Sequence, residues 1–159
     1  MKVSEIMQAL EDFAPLAYQE SYDNSGLQVG SPDDEVKGVL LTLDVTEAVV
    51  AEAMEKGCNM IVAHHPLIFN GIKRITGQHY TERIIKTAIR HDIHIYAAHT
   101  NMDNVRNGVN HVIAGQLGLI NTSVLAPQTG NLLRLYTYVP VPDAGKVRDA
   151  LFAAGAGHI

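Results

Sequence analysis

With one cysteine, Cys58, this sequence has no disulfide framework, so its fold must rest on an apolar core. A reducing, cytoplasmic setting is the expectation, and Cys58, just before an apolar run, reads as a small core residue. Long hydrophobic runs are missing: none nears the ~20 residues of a membrane span. Met1-Lys2-Val3-Ser4-Glu5 also lacks the apolar stretch of a secretory leader. Positive charge is scarce, with 12 Lys and Arg against 17 Asp and Glu and a net charge of -5. A nucleic-acid backbone calls for clustered cations, so neither nucleic acid nor membrane is an expected partner. Small anionic substrates stay compatible, because a bound cation reverses the local field.

What is present is a globular composition, 47% hydrophobic and 18% charged over 159 residues, enough for one domain with a real core. Ile6, Met7, Leu10 and Phe13 recur at helical spacing up to Pro15. A long polar stretch from Tyr18 to Lys37 is rich in turn formers and reads as a loop lining a site. A rhythm follows. Val39–Leu43 is a buried-strand pattern, and Thr46–Lys56 is helical, with Val49, Val50, Ala53 and Met54 inward and Gly57 after its end. Met60–Ala63 is a second strand. A helix over Tyr80–Arg90 puts Ile84, Ile85, Ala88 and Ile89 on one face. Ile93–Ala98 is a third strand, and Val109, Val112, Ile113 and Leu117 mark a further helix ended by Gly118. Strands alternating with helices predict an α/β fold, a three-layer α/β/α arrangement around a mostly parallel sheet. Beyond Gly130, Leu133, Leu135, Thr137 and Val139 alternate with Leu132, Arg134, Tyr136 and Tyr138, which predicts a half-exposed strand. A short helix over Asp143–Ala154 follows. Residues 1–130 thus form one unit, and 131–159 read as the opening of a second.

Polar residues gather just past the ends of the three strands. Asp44 follows the first, His64 and His65 follow the second before Pro66, and His99 and Asp103 follow the third. In open parallel sheets these ends share one edge, where ligands bind. Adjacent strand residues point to opposite faces, so paired imidazoles serve one site only where the strand ends, and Pro66 supplies that ending. Imidazole nitrogens suit Zn, Fe, Ni and Cu, and a carboxylate can bridge two ions. Paired ions ~3.5–4 Å apart activate water, which implies hydrolytic chemistry. His64 and His65 read as metal ligands rather than as a strand-end pair bonded to backbone. Asp103 reads equally as a ligand or as a turn residue in Asn101-Met102-Asp103-Asn104. His99 fits behind the ligands, and Asp44 reads as a cap of the helix near Thr46 somewhat more than as a site member. Asp23 and Asn24 look like turn residues, while His79, His91, His94 and His111 look structural or solvated.

Four motifs in order carry a resemblance: Ser21-Tyr22-Asp23-Asn24-Ser25-Gly26-Leu27-Gln28-Val29-Gly30, Leu41-Thr42-Leu43-Asp44-Val45-Thr46, Val62-Ala63-His64-His65-Pro66-Leu67-Ile68-Phe69 and Tyr96-Ala97-Ala98-His99-Thr100-Asn101-Met102-Asp103. Over nearly all of residues 1–130 the chain resembles the NIF-three-like family of dinuclear-metal proteins, labelled GTP cyclohydrolase 1 type 2 homologues. The resemblance implies two divalent metal ions (Zn, Fe or similar) held by His64, His65 and Asp103, with His99, Asp44 and Asp23 in outer or substrate-facing positions. It implies that a His and a Glu from a C-terminal segment complete the site. It further implies an inserted ferredoxin-like domain that begins at residue 131, so that the chain is an N-terminal portion. Self-association into a hexameric ring belongs to the same expectation. Two functions compete: a metal-dependent hydrolase acting on a nucleotide or phosphorylated small molecule, and a non-enzymatic metal-binding or interaction protein. A phosphoesterase with another substrate class is a third.

Overall fold

Two short runs of unbroken burial form the centre of the sheet. In the computed structural model, which describes residues 1–127 and 134–157, β3 (Met60–Ala63) and β4 (His94–Ala97) are buried at every position. They pair in parallel, with Met60 opposite His94 and Ala63 opposite Ala97. Outside β3 lies β2 (Val39–Thr42), also parallel. Outside β4 lies β1 (Gly26–Val29), which runs antiparallel and carries an irregularity between Leu27 and Val29. The order is β1-β4-β3-β2.

The sheet is therefore mixed, not mostly parallel, and its fourth strand lies inside the polar stretch that reads as a loop. Only Leu27 and Val29 signal it, between Gly26 and Gly30, so it is too short to show a period; pairing to β4 is what makes it a strand. Gly30 ends it at a φ of +117°, where a Cβ would fall 2.2 Å from the Nδ1 of buried His94. Only glycine lets the backbone leave the strand over that imidazole.

Helices cover both faces. On one, α1 (Val3–Phe13) packs Val3 with Met60, Val62, Tyr96 and Ala98, and Ile6, Met7 and Leu10 close over that cluster. The Tyr96 hydroxyl donates to the Glu11 carboxylate at 3.1 Å. Burial, reinforced by that carboxylate, pushes the Tyr96 hydroxyl well above its ordinary pKa. On the other face, α2 (Glu47–Glu55) and α3 (Tyr80–Arg90) set Val50, Ala53, Ile84, Ile85 and Ala88 against Ile61, Ala63 and Ile95. The result is a three-layer α/β/α arrangement, with Cys58 at the margin of the second cluster. Two further helices, α4 (Thr100–Asn104) and α5 (Val109–Gln116), follow β4.

Several side chains expected inside are outside. The β2 run reads as buried, yet Leu41 is 75% exposed and Leu43 59%. The reason is position: α1 covers β1, β3 and β4 and stops short of the edge strand, so only Leu40 reaches a core. Ile89 and Met54 are exposed at the rims of their helices, and Val112, Ile113 and Leu117 of α5 are exposed too. Periodicity locates an apolar stripe; it does not supply a partner for it.

In the C-terminal stretch, the predicted strand over 132–139 begins at residues outside the described ones, and residues 134–140 carry no sheet pairing. A lone strand has nothing to bond to. The predicted helix forms as α6 (Ala144–Ala153), entered through a single tight turn at Val141–Asp143. No helix among the described residues is long and apolar enough to cross a membrane.

The long connection before α3 is held by one carboxylate. Glu82 Oε2 accepts from Thr76 N (2.9 Å), Thr76 Oγ1 (2.8 Å), Gly77 N (2.8 Å) and Gln78 N (3.1 Å). These bonds, those from Thr76 foremost, lower its pKa from 4.5 to about 2. A carboxyl depressed on folding adds stability that is complete above its unfolded pKa and is lost as pH falls towards the folded one. Glu82→Gln should therefore flatten the loss of stability between pH 4.5 and about 2 and speed amide exchange at residues 76–78. An unchanged acid-unfolding profile would show that this carboxylate does not hold the segment.

Candidate metal centre

The parallel pairing of β3 and β4 brings their carboxyl ends level. Beyond β3, His64 N donates to Thr42 O at 3.2 Å and His65 N to Leu43 O at 2.9 Å; beyond β4, Ala98 N donates to Ala63 O at 2.8 Å. The chain turns at Pro66 on one side and enters α4 after His99 on the other. Three imidazoles meet there. Ring centroids are 5.0 Å apart for His64 and His65, 5.3 Å for His64 and His99, and 5.6 Å for His65 and His99. Each offers a ring nitrogen within 4.8 Å of the others.

Every Nδ1 of the three is already engaged. His64 Nδ1 donates to the Ala98 carbonyl at 2.9 Å, His65 Nδ1 to Asp44 Oδ1 at 2.7 Å, and His99 Nδ1 to Asp23 Oδ1 at 2.8 Å. A carbonyl or an ionised carboxylate only accepts, so each Nδ1 carries the hydrogen and each Nε2 keeps its lone pair. Imidazoles that bind metals are oriented this way: one nitrogen hydrogen-bonded to an acceptor, the other free to donate electrons.

Asp23 is the firmest of these anchors. Its side chain is fully buried. Besides His99 Nδ1 it accepts from Thr100 N (3.0 Å), Thr100 Oγ1, Ser25 Oγ (2.9 Å) and Asn24 N (2.6 Å). Burial works against its charge, but the bonds from Thr100, His99 and the two backbone groups outweigh it and hold the carboxyl well below the usual carboxylate range. Asp44 is more open, its side chain 61% exposed. It does not cap α2: Thr46 Oγ1 does that, accepting from Val49 N at 3.2 Å. The carboxylate of Asp44 is left to face His65.

Asp103, in the first turn of α4, sits with Oδ1 3.8 Å from His64 Nε2. That is too long for a hydrogen bond. It lies within the ~4.2 Å that two donors at ~2.1 Å from a shared ion can span. All six residues singled out in the sequence therefore converge, and His99 stands in the ring cluster itself rather than behind it. His79 and His91 flank α3, His111 lies in α5, and buried His94 belongs to β4, all outside the cluster. Sequence reasoning missed Ser25 and Thr100, which fix Asp23. Their adjacency to Asp23 and His99 is the only signal for them, and no side-chain pattern could reveal the Ala98 carbonyl.

A family model described as Duf34/NIF3 (NGG1p interacting factor 3) matches residues 1–155. The chain belongs to this family. A GTP cyclohydrolase 1 type 2 homolog of Bacillus subtilis is 46% identical over 156 residues, 98% of this chain and 42% of that protein. Among solved structures, a Bacillus cereus protein related to NIF3 has a TM-score of 0.76 and 45% identity over all of this chain and 44% of its own. Reduced HcgD from Methanocaldococcus jannaschii has a TM-score of 0.71 and 37% identity, over 76% of this chain and 48% of its own. The chain thus spans less than half the length of each of these three proteins.

The anchors should differ sharply in their contribution to stability. Asp23→Ala strands several part-buried donors around a buried carboxylate and should cost about 2 kcal/mol or more. Asp44→Ala breaks a half-exposed pair and should cost under about 1 kcal/mol. Urea denaturation of the two variants checks this, and equal losses would contradict the assignment of Asp23 as the buried anchor.

Proposed function

We propose that His64, His65 and Asp103 are this chain's share of a divalent-metal centre, and that the whole protein is a metal-dependent hydrolase acting on a nucleotide or another phosphorylated small molecule. The observation that carries this reading is a shared hydrogen-bond pattern: three clustered imidazoles, each with Nδ1 engaged by an acceptor, which leaves Nε2 open. Packing alone has no use for three aligned lone pairs, whereas imidazole and carboxylate together suit Zn or Fe. Divalent ions held there would supply Lewis-acid activation of water and neutralise charge on an anionic substrate.

Within that reading the residues divide their work. His64 and His65 present Nε2, with the Ala98 carbonyl and the Asp44 carboxylate fixing the ring planes. Asp103 faces His64 and adds negative charge. His99, clamped by Asp23, faces the same space and is placed to give or take a proton at Nε2. A two-ion site needs donors beyond these, which we assign to the part of the longer relatives that this chain does not span. Residues 131–159 we take, from the sequence, as the start of an inserted ferredoxin-like unit. The uncovered apolar side chains of β2 and α5 support a homo-oligomeric, ring-like assembly. The family description names an interacting factor, which favours a second reading: a metal-binding interaction protein without turnover.

Zinc or iron reconstitution followed by metal analysis tests the site. His64→Ala and His65→Ala should lose bound metal, and Asp44→Asn should weaken affinity about 10–100-fold by freeing the His65 ring. Metal content unchanged in His64→Ala would overturn the ligand assignment. A chain extended to the length of its relatives should release phosphate or formate from one of a panel of nucleotides. Full metal occupancy with no turnover would instead favour the interaction reading.

A further inference from the structure

Two exposed aromatic rings stand beside the histidine cluster, and the reading above gives them no role. Tyr22 is 65% exposed and Phe69 46%. Their centroids are 6.4 Å apart with planes tilted by 55°, and Phe69 meets the edge of His99 at 6.3 Å and 85°. A single exposed hydrophobic side chain needs no explanation; two in contact, abutting an imidazole with a free nitrogen, are a different matter.

The backbone that carries both rings is tied down by bonds of the neighbouring residues. Tyr22 precedes Asp23, whose carboxylate is bonded on both oxygens. Phe69 follows Ile68, whose N–H donates to Gln28 Oε1 at 2.8 Å and whose carbonyl accepts from Asn24 Nδ2 at 2.6 Å. The segment that carries the Asp23 anchor is thus tied to the segment that carries Phe69, and the rings project from a braced surface. A tied backbone lowers the ordering cost of using these rings as a binding surface.

We propose that Tyr22 and Phe69 form the ring-binding wall of the histidine centre, so that its ligand carries a planar aromatic or heteroaromatic ring. This rests on the metal-centre reading and narrows its substrate class. The 55° tilt keeps the two rings from stacking flat on each other. A flat ligand against Phe69 lies beside His99, where a ring oxygen or nitrogen comes within reach of Nε2. Stacking of this kind tolerates any base, because every base has a π-face. Sugar phosphates without an aromatic ring gain nothing from such a wall.

The test uses the 159-residue chain, zinc-loaded and zinc-free, with guanosine, adenosine and ribose 5-phosphate as probes, titrated by ligand-observed NMR. Phe69→Ala should weaken nucleoside binding about tenfold, Tyr22→Ala about fivefold, and Phe69→Tyr should restore it. Ribose 5-phosphate binding and zinc content should not change in any variant. Nucleoside affinity unaltered in both alanine variants, or no nucleoside binding by the unmodified chain, would overturn the wall while leaving the metal site standing. Failure of a chain extended to the length of its relatives to hold zinc, with nucleoside binding still sensitive to Phe69, would reject the metal reading and keep the wall.

Discussion

Parallel pairing of β3 with β4, in the register that sets Ala63 opposite Ala97, governs everything at the site. It places His64 and His65 at the same height as Ala98 and His99, so a backbone carbonyl of one strand end can orient an imidazole of the other. A slip of one residue would exchange the two faces of each strand and bury the wrong side chains. The register is itself enforced by two apolar clusters on opposite faces, Ile61, Ala63 and Ile95 on one and Met60, Val62 and Tyr96 on the other. Core packing and site geometry are therefore one constraint. Substitutions that loosen these strands should disturb the imidazoles before any residue of the site is touched.

The anchors around the imidazoles follow a gradient of burial. Asp23 is enclosed and bonded on both oxygens, and those bonds hold its carboxyl well below the usual carboxylate range. Asp44 and His65 stand near solvent, where their hydrogen bond contributes little by itself. One side of the cluster is thus a rigid back wall, and the other is an open face that a ligand, or further protein, can complete. Tyr22 and Phe69 border the rigid side, where a stacking surface is most useful.

Much of this was legible in the sequence. The helix at Tyr80–Arg90 and the strand at Met60–Ala63 follow from periodicity and from unbroken apolar runs. The convergence of Asp44, the histidine pair, His99 and Asp103 follows from strand topology. What escaped did so for physical reasons. β1 is four residues long and is defined by its partner rather than by its own pattern. Leu41 and the α5 residues look like core, because a sequence shows an apolar stripe but not whether anything covers it. His99 read as standing behind the ligands because spacing along the chain says nothing of ring position, and Asp23 read as a turn residue because three of its five donors come from His99 and Thr100, 76 and 77 residues away. The Asp44 ambiguity was resolved only by seeing Thr46 take the helix cap.

The central claim is that three imidazoles are held in one tautomer with Nε2 open towards a shared point. Long-range ¹H–¹⁵N correlation of the histidine rings tests it directly, at about pH 8 where free imidazole is neutral. The account predicts that His64, His65 and His99 each show a protonated Nδ1 and an unprotonated Nε2, and that adding Zn²⁺ shifts the Nε2 signals of His64 and His65. Nε2-protonated rings in the metal-free protein, or Nε2 signals that ignore zinc, would contradict it.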